Sequence, residues 1–216
     1  MVAGAVRRSV PHPWLKPAVF TGSLVPLAAT LWSALRGELG ANPIAEALNR
    51  LGLMALVFLI ASLTCTPLRA AFGWTWPIRL RRMLGLFAFF YALLHMTTYI
   101  GLDQTLSWRA IFADITKRKF IFVGFLAFVM LLPLALTSTA AAVRRLGFVR
   151  WKRLHRLAYA AGILGVIHFI WRVKKDLREP VIYAVILGVL LLARLAASLH
   201  DRPKRDPARW TPTMQS

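Results

Sequence analysis

Six long apolar runs follow one another along the chain, separated by short clusters of Lys and Arg. They predict six helices, at residues 17–35, 48–68, 82–102, 120–141, 151–172 and 180–199. In the first four, no Asp, Glu, Lys or Arg occurs beyond the first turn. Each run reaches the roughly 20 residues that a helix needs to cross a bilayer, and none shows the two-residue alternation of a barrel strand. The pattern therefore predicts an all-α bundle of six transmembrane helices.

The composition supports a polytopic membrane protein over other basic proteins. Of the 216 residues, 58% are hydrophobic, and 28 Lys and Arg stand against 8 Asp and Glu. The basic residues are concentrated between the apolar runs, so we expect them to face anionic lipid and the cytoplasm and not nucleic acid. No linker divides the chain, which predicts one transmembrane domain over residues 1–216. The single cysteine, Cys65, excludes an intrachain disulfide and a cysteine-based zinc site.

The distribution of Lys and Arg also predicts the orientation of the bundle. The two flanks and the second and fourth loops together hold more of these residues than the first, third and fifth loops do. The margin is moderate, because the basic clusters at 117–119 and 172–175 lie on the poorer side. By the positive-inside rule, both termini are expected in the cytoplasm.

Two histidines are predicted at matching depth on different helices. His95 lies 13 residues beyond Arg82 on the third helix, and His168 lies 12 residues beyond Arg156 on the fifth. At 1.5 Å per residue, both imidazoles are about 18–20 Å from the cytoplasmic boundary. A single histidine at this depth is explained by a hydrogen bond to a neighbouring helix as well as by a functional role. Two histidines at one depth on different helices fit the axial ligands of a haem iron. Zinc fits less well, because no carboxylate or thiol lies at that depth to complete a tetrahedral set.

A third histidine, His155, is predicted at the cytoplasmic boundary of the fifth helix. Its 13-residue separation from His168 leaves the two side chains about 140° apart around an ideal helix. They share a face only if the helix bends, for which Gly162 and Gly165 are the candidates; otherwise each histidine serves a different site. The spacing leaves both alternatives open.

Several motifs occur in a fixed order along the chain. They are "TPLR" (66–69), "RRMLGLFAFFYALLH" (81–95), "ADITKRKFIFVG" (113–124), "LPLALTS" (132–138) and "WKRLHRLAY" (151–159). In this order and spacing they resemble the MsrQ family, also called YedZ, the membrane subunit of the periplasmic methionine-sulfoxide reductase system. Lys119 stands where that family usually has a proline. The family belongs with the ferric-reductase and NADPH-oxidase transmembrane domains, which bind two stacked b-type haems through two histidine pairs on two helices.

The resemblance implies that His95 and His168 are the axial ligands of one haem b. The larger relatives use the 13-residue spacing of His155 and His168, and they have a further histidine at the position of Arg81. A guanidinium stays protonated and is a poor axial ligand. His155 and Arg81 are therefore expected to form either a second haem site or a quinone or flavin site, in which Arg81 would suit an acceptor group of the ligand.

The implied function is that of a haem b electron-transfer subunit in the bacterial cell inner membrane. It would pass electrons from quinol or a flavoprotein donor, such as a soluble flavin reductase, to a periplasmic molybdopterin methionine-sulfoxide reductase that repairs oxidised proteins. Haem b, in one or two copies, and FMN are the candidate cofactors, and catalysis on methionine sulfoxide would belong to the partner. Two alternatives remain open: a free-standing ferric or oxygen reductase membrane domain, and a non-redox transporter or scaffold whose histidines are packed core groups.

Overall fold

The computed structural model describes residues 13–173 and 176–200. Within these ranges the chain forms nine α-helices and one π-helical turn, and no strand. The helices are α1 (Leu15–Leu35), α2 (Pro43–Phe72), α3 (Trp76–Thr98), α4 (Trp108–Lys117), α5 (Lys119–Leu136), α6 (Ala140–Leu146), α7 (Phe148–Leu154), α8 (Leu157–Arg172) and α9 (Arg178–His200). The π-helical turn, Tyr99–Asp103, directly continues α3.

Six helical segments of the described chain are long and apolar enough to cross a membrane. They are α1, α2, α3 with its π-helical turn, α5, α7 together with α8, and α9 as far as Ala197. Many of their large apolar side chains are exposed on the outside of the bundle, which suits contact with lipid. The prediction of an all-α bundle with six candidate spans is confirmed.

Tight turns arrange the helices as antiparallel pairs. α2 begins at Pro43 behind Asn42, whose side-chain oxygen accepts a hydrogen bond from the Ala45 N–H, and it ends before Gly73, where φ is 71°. Proline at the first helical position and a left-handed glycine after the last are favoured at these two places. Because α3 begins at Trp76, α2 and α3 run back along each other and form the most extensively packed pair, followed by α5 and α8.

The core is built around α2, which packs against α1, α3, α8 and α9. Four side chains of α2 lie in the main cluster of buried residues: Leu56, Leu59, Ile60 and Leu63. The other helices contribute Ala88, Leu131, Ala161, Val166 and Leu187. A second, smaller cluster contains Leu51, Phe87 and Tyr91, and it joins α1 to the α2–α3 pair. α2 therefore joins α1, α3, α8 and α9, whereas α5 is held by its contacts with α8 and α3.

The fifth span is interrupted by a tight turn. α7 ends before His155 and α8 begins after Arg156, and the N–H groups of Arg156 and Tyr159 donate to carbonyls three residues earlier (3.2 and 3.0 Å). The helix is not interrupted at Gly162 and Gly165, the candidate positions for a bend. Both glycines lie inside α8, where an added Cβ would contact leucine side chains of neighbouring helices. Gly162 and Gly165 thus serve close helix packing, and the interruption of the span lies at His155 and Arg156.

The fourth span ends earlier than its apolar run. α5 stops at Leu136, before the predicted boundary at 141. The hydroxyls of Thr137 and Ser138 each donate to the carbonyl four residues earlier (2.6 Å), and such bonds compete with continuation of the helix. Thr139 then caps the separate helix α6. Three consecutive hydroxyl residues therefore end the span.

α4 is a helix that the apolar runs do not predict. It is amphipathic: Ile111 is buried against the bundle, while Trp108 and Phe112 are exposed. The Ser107 hydroxyl caps its start, and Asp114 accepts a hydrogen bond from Tyr99 (3.1 Å) in the π-helical turn. An apolar residue at every third or fourth position, rather than a continuous run, is the pattern of such a helix.

Tyr91 connects α3 to the part of α1 around Pro26. Its side chain is fully buried, and its hydroxyl donates to the Ser23 carbonyl (2.7 Å) and accepts from the Leu27 N–H (3.1 Å). These two backbone groups lie on either side of Pro26, which has no N–H to offer. The Tyr91 hydroxyl is therefore inserted into the backbone hydrogen bonding of α1 at the point where helices commonly kink.

We expect Tyr91→Phe to lower the free energy of unfolding by about 1–3 kcal/mol, because two buried backbone groups lose a partner. Thermal unfolding in detergent micelles would measure the change. Tyr159→Phe is a matched control, since the Tyr159 hydroxyl is buried without a hydrogen-bond partner among the described residues. Its removal should leave the melting temperature unchanged or slightly higher. Equal effects of the two substitutions would contradict the role given to Tyr91.

Candidate functional site

The ends of α3 and α8 bring two imidazoles together. The ring centroids of His95 and His168 are 6.2 Å apart, and their planes make an angle of 82°. Four helices meet at this place, which we call the site end of the bundle: the starts of α2 and α5 and the ends of α3 and α8. The two histidines predicted as a pair are thus neighbours, and their role as metal ligands stays a prediction.

Each imidazole is held through Nδ1 by a carbonyl of a neighbouring helix. His95 Nδ1 lies 2.9 Å from the carbonyl oxygen of Leu48 on α2, and His168 Nδ1 lies 2.7 Å from that of Phe120 on α5. A carbonyl only accepts hydrogen bonds, so Nδ1 carries the proton and donates in both cases. In a neutral imidazole this leaves the lone pair on Nε2 for a metal, and backbone carbonyls commonly orient metal-binding histidines in this way.

A glycine lies under each ring, four residues after the carbonyl that holds it. A Cβ on Gly52 would approach His95 Nδ1 to 3.1 Å, and a Cβ on Gly124 would approach His168 Nδ1 to 2.6 Å. Even alanine would therefore displace His168. The α2–α3 pair and the α5–α8 pair use the same arrangement: a carbonyl and a glycine on one helix, and a histidine on its antiparallel neighbour.

The separation of the two rings suits two ligands of one metal ion. Imidazoles that bind through Nε2 at about 2 Å on opposite sides of a metal have ring centroids roughly 6 Å apart. Within residues 13–173 and 176–200, no three His, Cys, Asp or Glu side chains come together, so a tetrahedral zinc set is not assembled there. A haem iron needs no more than such a pair from the protein, because the macrocycle supplies its other ligands.

His155 lies at the opposite end of the bundle, where α5 ends and α7 meets α8. Its Nε2 is 3.2 Å from the Thr137 hydroxyl, which already donates to the carbonyl of Pro133 and therefore accepts from the imidazole. The ring also packs on the indole of Trp151, with centroids 4.1 Å apart. In this arrangement His155 Nε2 is a donor to Thr137, and it would have to leave that hydroxyl to bind a metal.

Arg81 lies at the same end as His155, near the start of α3. Its guanidinium donates to the Thr66 hydroxyl (3.2 Å) at the end of α2, and its backbone carbonyl accepts from the Ser62 hydroxyl (2.9 Å). It interacts electrostatically with His155 without a direct hydrogen bond between them. The positive charge and the third histidine therefore border one region, and their joint role as a ligand site stays a prediction.

Comparison with known proteins identifies the family of the chain. The model of the ferric reductase like transmembrane component matches residues 18–166. The heme-binding subunit MsrQ of the protein-methionine-sulfoxide reductase of Rhodospirillum rubrum is 54% identical over 188 residues, which cover 86% of this chain and 89% of the relative. The MsrQ of Deinococcus radiodurans is 48% identical over 201 residues, covering 93% and 99%. The chain belongs to the MsrQ family. Together with the six candidate spans, this makes it a multi-pass membrane protein.

For this MsrQ-family chain, reasoning from the sequence missed the residues that orient the histidines. No motif contains Gly52, and the position of Gly124 in the motif at 113–124 does not indicate a role for it. A glycine inside an apolar helix is a weak signal by itself, because it also arises from close helix packing. The stronger signal is the pairing of each glycine with a histidine on the antiparallel helix, which becomes visible only when the helices are aligned.

Proposed function

We propose that this protein is a haem b-binding electron-transfer subunit, with His95 and His168 as the axial ligands. The observation that carries the proposal is the pair of imidazoles with centroids 6.2 Å apart, both with Nδ1 engaged by a carbonyl and Nε2 left for iron. The curated relatives are named heme-binding subunits of a methionine-sulfoxide reductase. Haem b supplies a metal centre that takes up and releases one electron.

The chain's own residues hold and orient the site in this proposal. The carbonyls of Leu48 and Phe120 fix the two rings from helices other than their own, so that the ligand geometry changes little when the charge of the site changes. Gly52 and Gly124 allow the rings to lie against the helix backbones. The apolar helices around them keep bulk water away, and the environment of the iron is then set by the protein.

We further propose a direction for the electron. With both termini in the cytoplasm of a bacterial inner membrane, the site end faces the periplasm, where a molybdopterin methionine-sulfoxide reductase would accept electrons. The opposite end, with Arg81 and His155, faces the cytoplasm, where quinol or a soluble flavin reductase would deliver them. The charge of Arg81 supports an anionic or acceptor ligand at this end, for which a quinone, FMN or a second haem qualifies.

A spectroscopic experiment on the purified protein tests the proposal. The dithionite-reduced minus oxidised spectrum should show a low-spin b-type haem. The reduced protein should then be reoxidised when a periplasmic molybdopterin methionine-sulfoxide reductase and methionine sulfoxide are both present, and much more slowly when either is omitted. Absence of low-spin haem would refute the haem site and favour a non-redox transporter or scaffold.

A free-standing ferric or oxygen reductase domain is the second candidate function. It is supported by the match to the ferric reductase like transmembrane component over residues 18–166. The same reduced protein distinguishes the two functions. Reoxidation by a ferric chelate or by oxygen, at a rate that the sulfoxide reductase does not increase, would favour this second candidate over delivery to the periplasmic partner.

The role proposed for Arg81 gives a separate prediction. We expect Arg81→Ala to slow reduction by quinol or by a flavin reductase, since the ligand loses a fixed positive charge, while dithionite still reduces the haem fully. Arg79→Ala, at an exposed position two residues earlier, is the control and should leave the rate unchanged. An unaltered donor-linked rate in Arg81→Ala would show that Arg81 is only a flanking charge of the helix.

A further inference from the structure

Arg172 is a half-buried cation that lies beside the histidine pair. It is the last residue of α8, one helical turn and about 6 Å beyond His168 on the same face of the helix. Its guanidinium carbon lies 5.7 Å from the centroid of the Phe169 ring, and its charge interacts with both His95 and His168. Arg172 is thus a charged side chain that a group bound between the two imidazoles could meet at the site end.

The hydrogen-bond partner of Arg172 is neutral. Nη1 donates to the side-chain oxygen of Asn49 on α2. Asn49 is the residue next to Leu48, whose carbonyl accepts the hydrogen bond from His95. No carboxylate of the described chain lies within 4.0 Å of its nitrogens, and the nearby Glu46 is paired with Arg50 (2.7 Å). A half-buried arginine is strongly stabilised by a carboxylate, which accepts two parallel hydrogen bonds from its fork. Asn49 orients the guanidinium and leaves its charge and its remaining donors available.

A carboxylate ligand fits this position, and the proposed cofactor carries two of them. Haem b has propionate side chains at one edge of the macrocycle, and the iron lies at its centre. An arginine one turn beyond an axial histidine, directed by a residue of the opposite helix, is suitably located for such an edge group. Its charge also acts on the iron, because adding an electron makes the site more negative and a nearby cation lowers the free energy of that state.

We propose that Arg172, oriented by Asn49, binds a propionate carboxylate of the haem between His95 and His168 and favours the reduced state of that haem. The inference rests on the proposed function, because it assigns a further binding residue to the same site. Arg172 would thereby set both the retention of the cofactor and its reduction potential without touching the iron.

Redox titration of the purified holoprotein tests this role. In Arg172→Gln the haem should remain, and the ratio of reduced to oxidised haem at a fixed potential should fall about tenfold, which corresponds to a shift of about 59 mV for one electron. Haem transfer to apomyoglobin should also become faster, because one anchor is lost. Arg172→Lys keeps the positive charge but removes the paired N–H donors of the guanidinium. The reduction potential of the haem should therefore change little, while haem transfer should be faster.

Two further variants distinguish a specific contact between Arg172 and the propionate from a general effect of net charge near the haem. Asn49→Asp keeps Arg172 but gives it a carboxylate partner, so it should lower the potential and speed haem transfer in the same direction as Arg172→Gln. Arg50→Gln removes the same charge from a neighbouring residue that is already paired with Glu46, and it should leave both measurements nearly unchanged. If Arg172→Gln fails to fold, the comparison of Asn49→Asp with Arg50→Gln carries the test.

The possible outcomes are distinct. Equal shifts in Arg172→Gln and Arg50→Gln would overturn the inference, since net charge alone would then explain them. Unchanged potential and haem transfer in both Arg172→Gln and Asn49→Asp would overturn the inference as well. The proposed function would still stand in that case, because both variants would still bind low-spin haem. Absence of low-spin haem from the unsubstituted protein would instead refute the proposed function.

Discussion

A purified His168→Ala protein should lack the low-spin haem spectrum and deliver no electrons. In the proposed site this substitution removes one of the two axial ligands, and the neighbouring turn of α8 offers no side chain that would replace it. Loss of a residue that merely orients a ligand typically weakens metal binding 10–100-fold, so loss of the ligand should weaken haem binding by more than about 100-fold. His95→Ala should behave in the same way, because His95 is the second proposed ligand and its ring lies 6.2 Å from that of His168. Haem content per chain and the reduced-minus-oxidised spectrum measure the effect.

His155→Ala is the matched control for the two ligand variants. It also removes an imidazole from the fifth span, but at the opposite end of the bundle, where the ring is bonded to Thr137 and packed on Trp151. The spectrum of the site-end haem should be retained, and reduction by the physiological donor should be slower. Full haem with an unchanged spectrum in both His95→Ala and His168→Ala would refute the ligand assignment. Loss of all haem in His155→Ala would make His155 an axial ligand of the haem present.

A single added methyl group at Gly124 should weaken haem binding nearly as much as the loss of the His168 side chain does. In Gly124→Ala the new Cβ would lie 2.6 Å from His168 Nδ1, closer than such atoms approach, so the ring must leave the Phe120 carbonyl. Both proposed ligands are then present, but the ring of His168 is turned away from its original direction. We expect the affinity for haem to fall about 10–100-fold, so that less haem is retained. The remaining haem should show a high-spin component.

Two other glycines calibrate this result. Gly52→Ala should have a smaller effect in the same direction, because its Cβ would lie 3.1 Å from His95 Nδ1 and a small movement relieves the contact. Gly188→Ala on α9 meets nothing within 4 Å and should leave haem unchanged. It should also stabilise the helix slightly, by up to about 1 kcal/mol, since alanine favours helix over glycine. Equal haem content in Gly124→Ala and Gly188→Ala would refute the packing of His168 on Gly124.

The sequence predicts the spans and the histidine pair for simple physical reasons. Hydropathy determines which segments cross a bilayer, and a constant rise per residue gives the depth of His95 and His168. Neither quantity specifies the direction in which a side chain points around its helix. For that reason the carbonyl of Leu48, the role of Gly124 and the approach of Arg172 to Asn49 could not be predicted.

The break at His155 and the helix α4 are different kinds of omission. His155 and Arg156 contain no proline or glycine, and the turn there depends on Trp151, Thr137 and the neighbouring end of α5, which are brought together only by the fold. α4 does have a local signal, because Trp108, Ile111 and Phe112 follow helical spacing. A search for continuous apolar runs does not detect that spacing, whereas a search for helical periodicity would.

The repeated arrangement of carbonyl, glycine and histidine has a consequence for biogenesis. The α2–α3 and α5–α8 pairs are the most extensively packed among the described residues, and each orients one of the two proposed ligands. In the proposed site the iron has both protein ligands only when the two pairs meet, so we expect haem loading to follow the insertion of both hairpins into the membrane. A ligand that binds only the assembled state stabilises that state by mass action. The cofactor would therefore stabilise the association of the α2–α3 pair with the α5–α8 pair. In cells starved of haem, these two pairs would be the first parts to separate and to become accessible to membrane proteases.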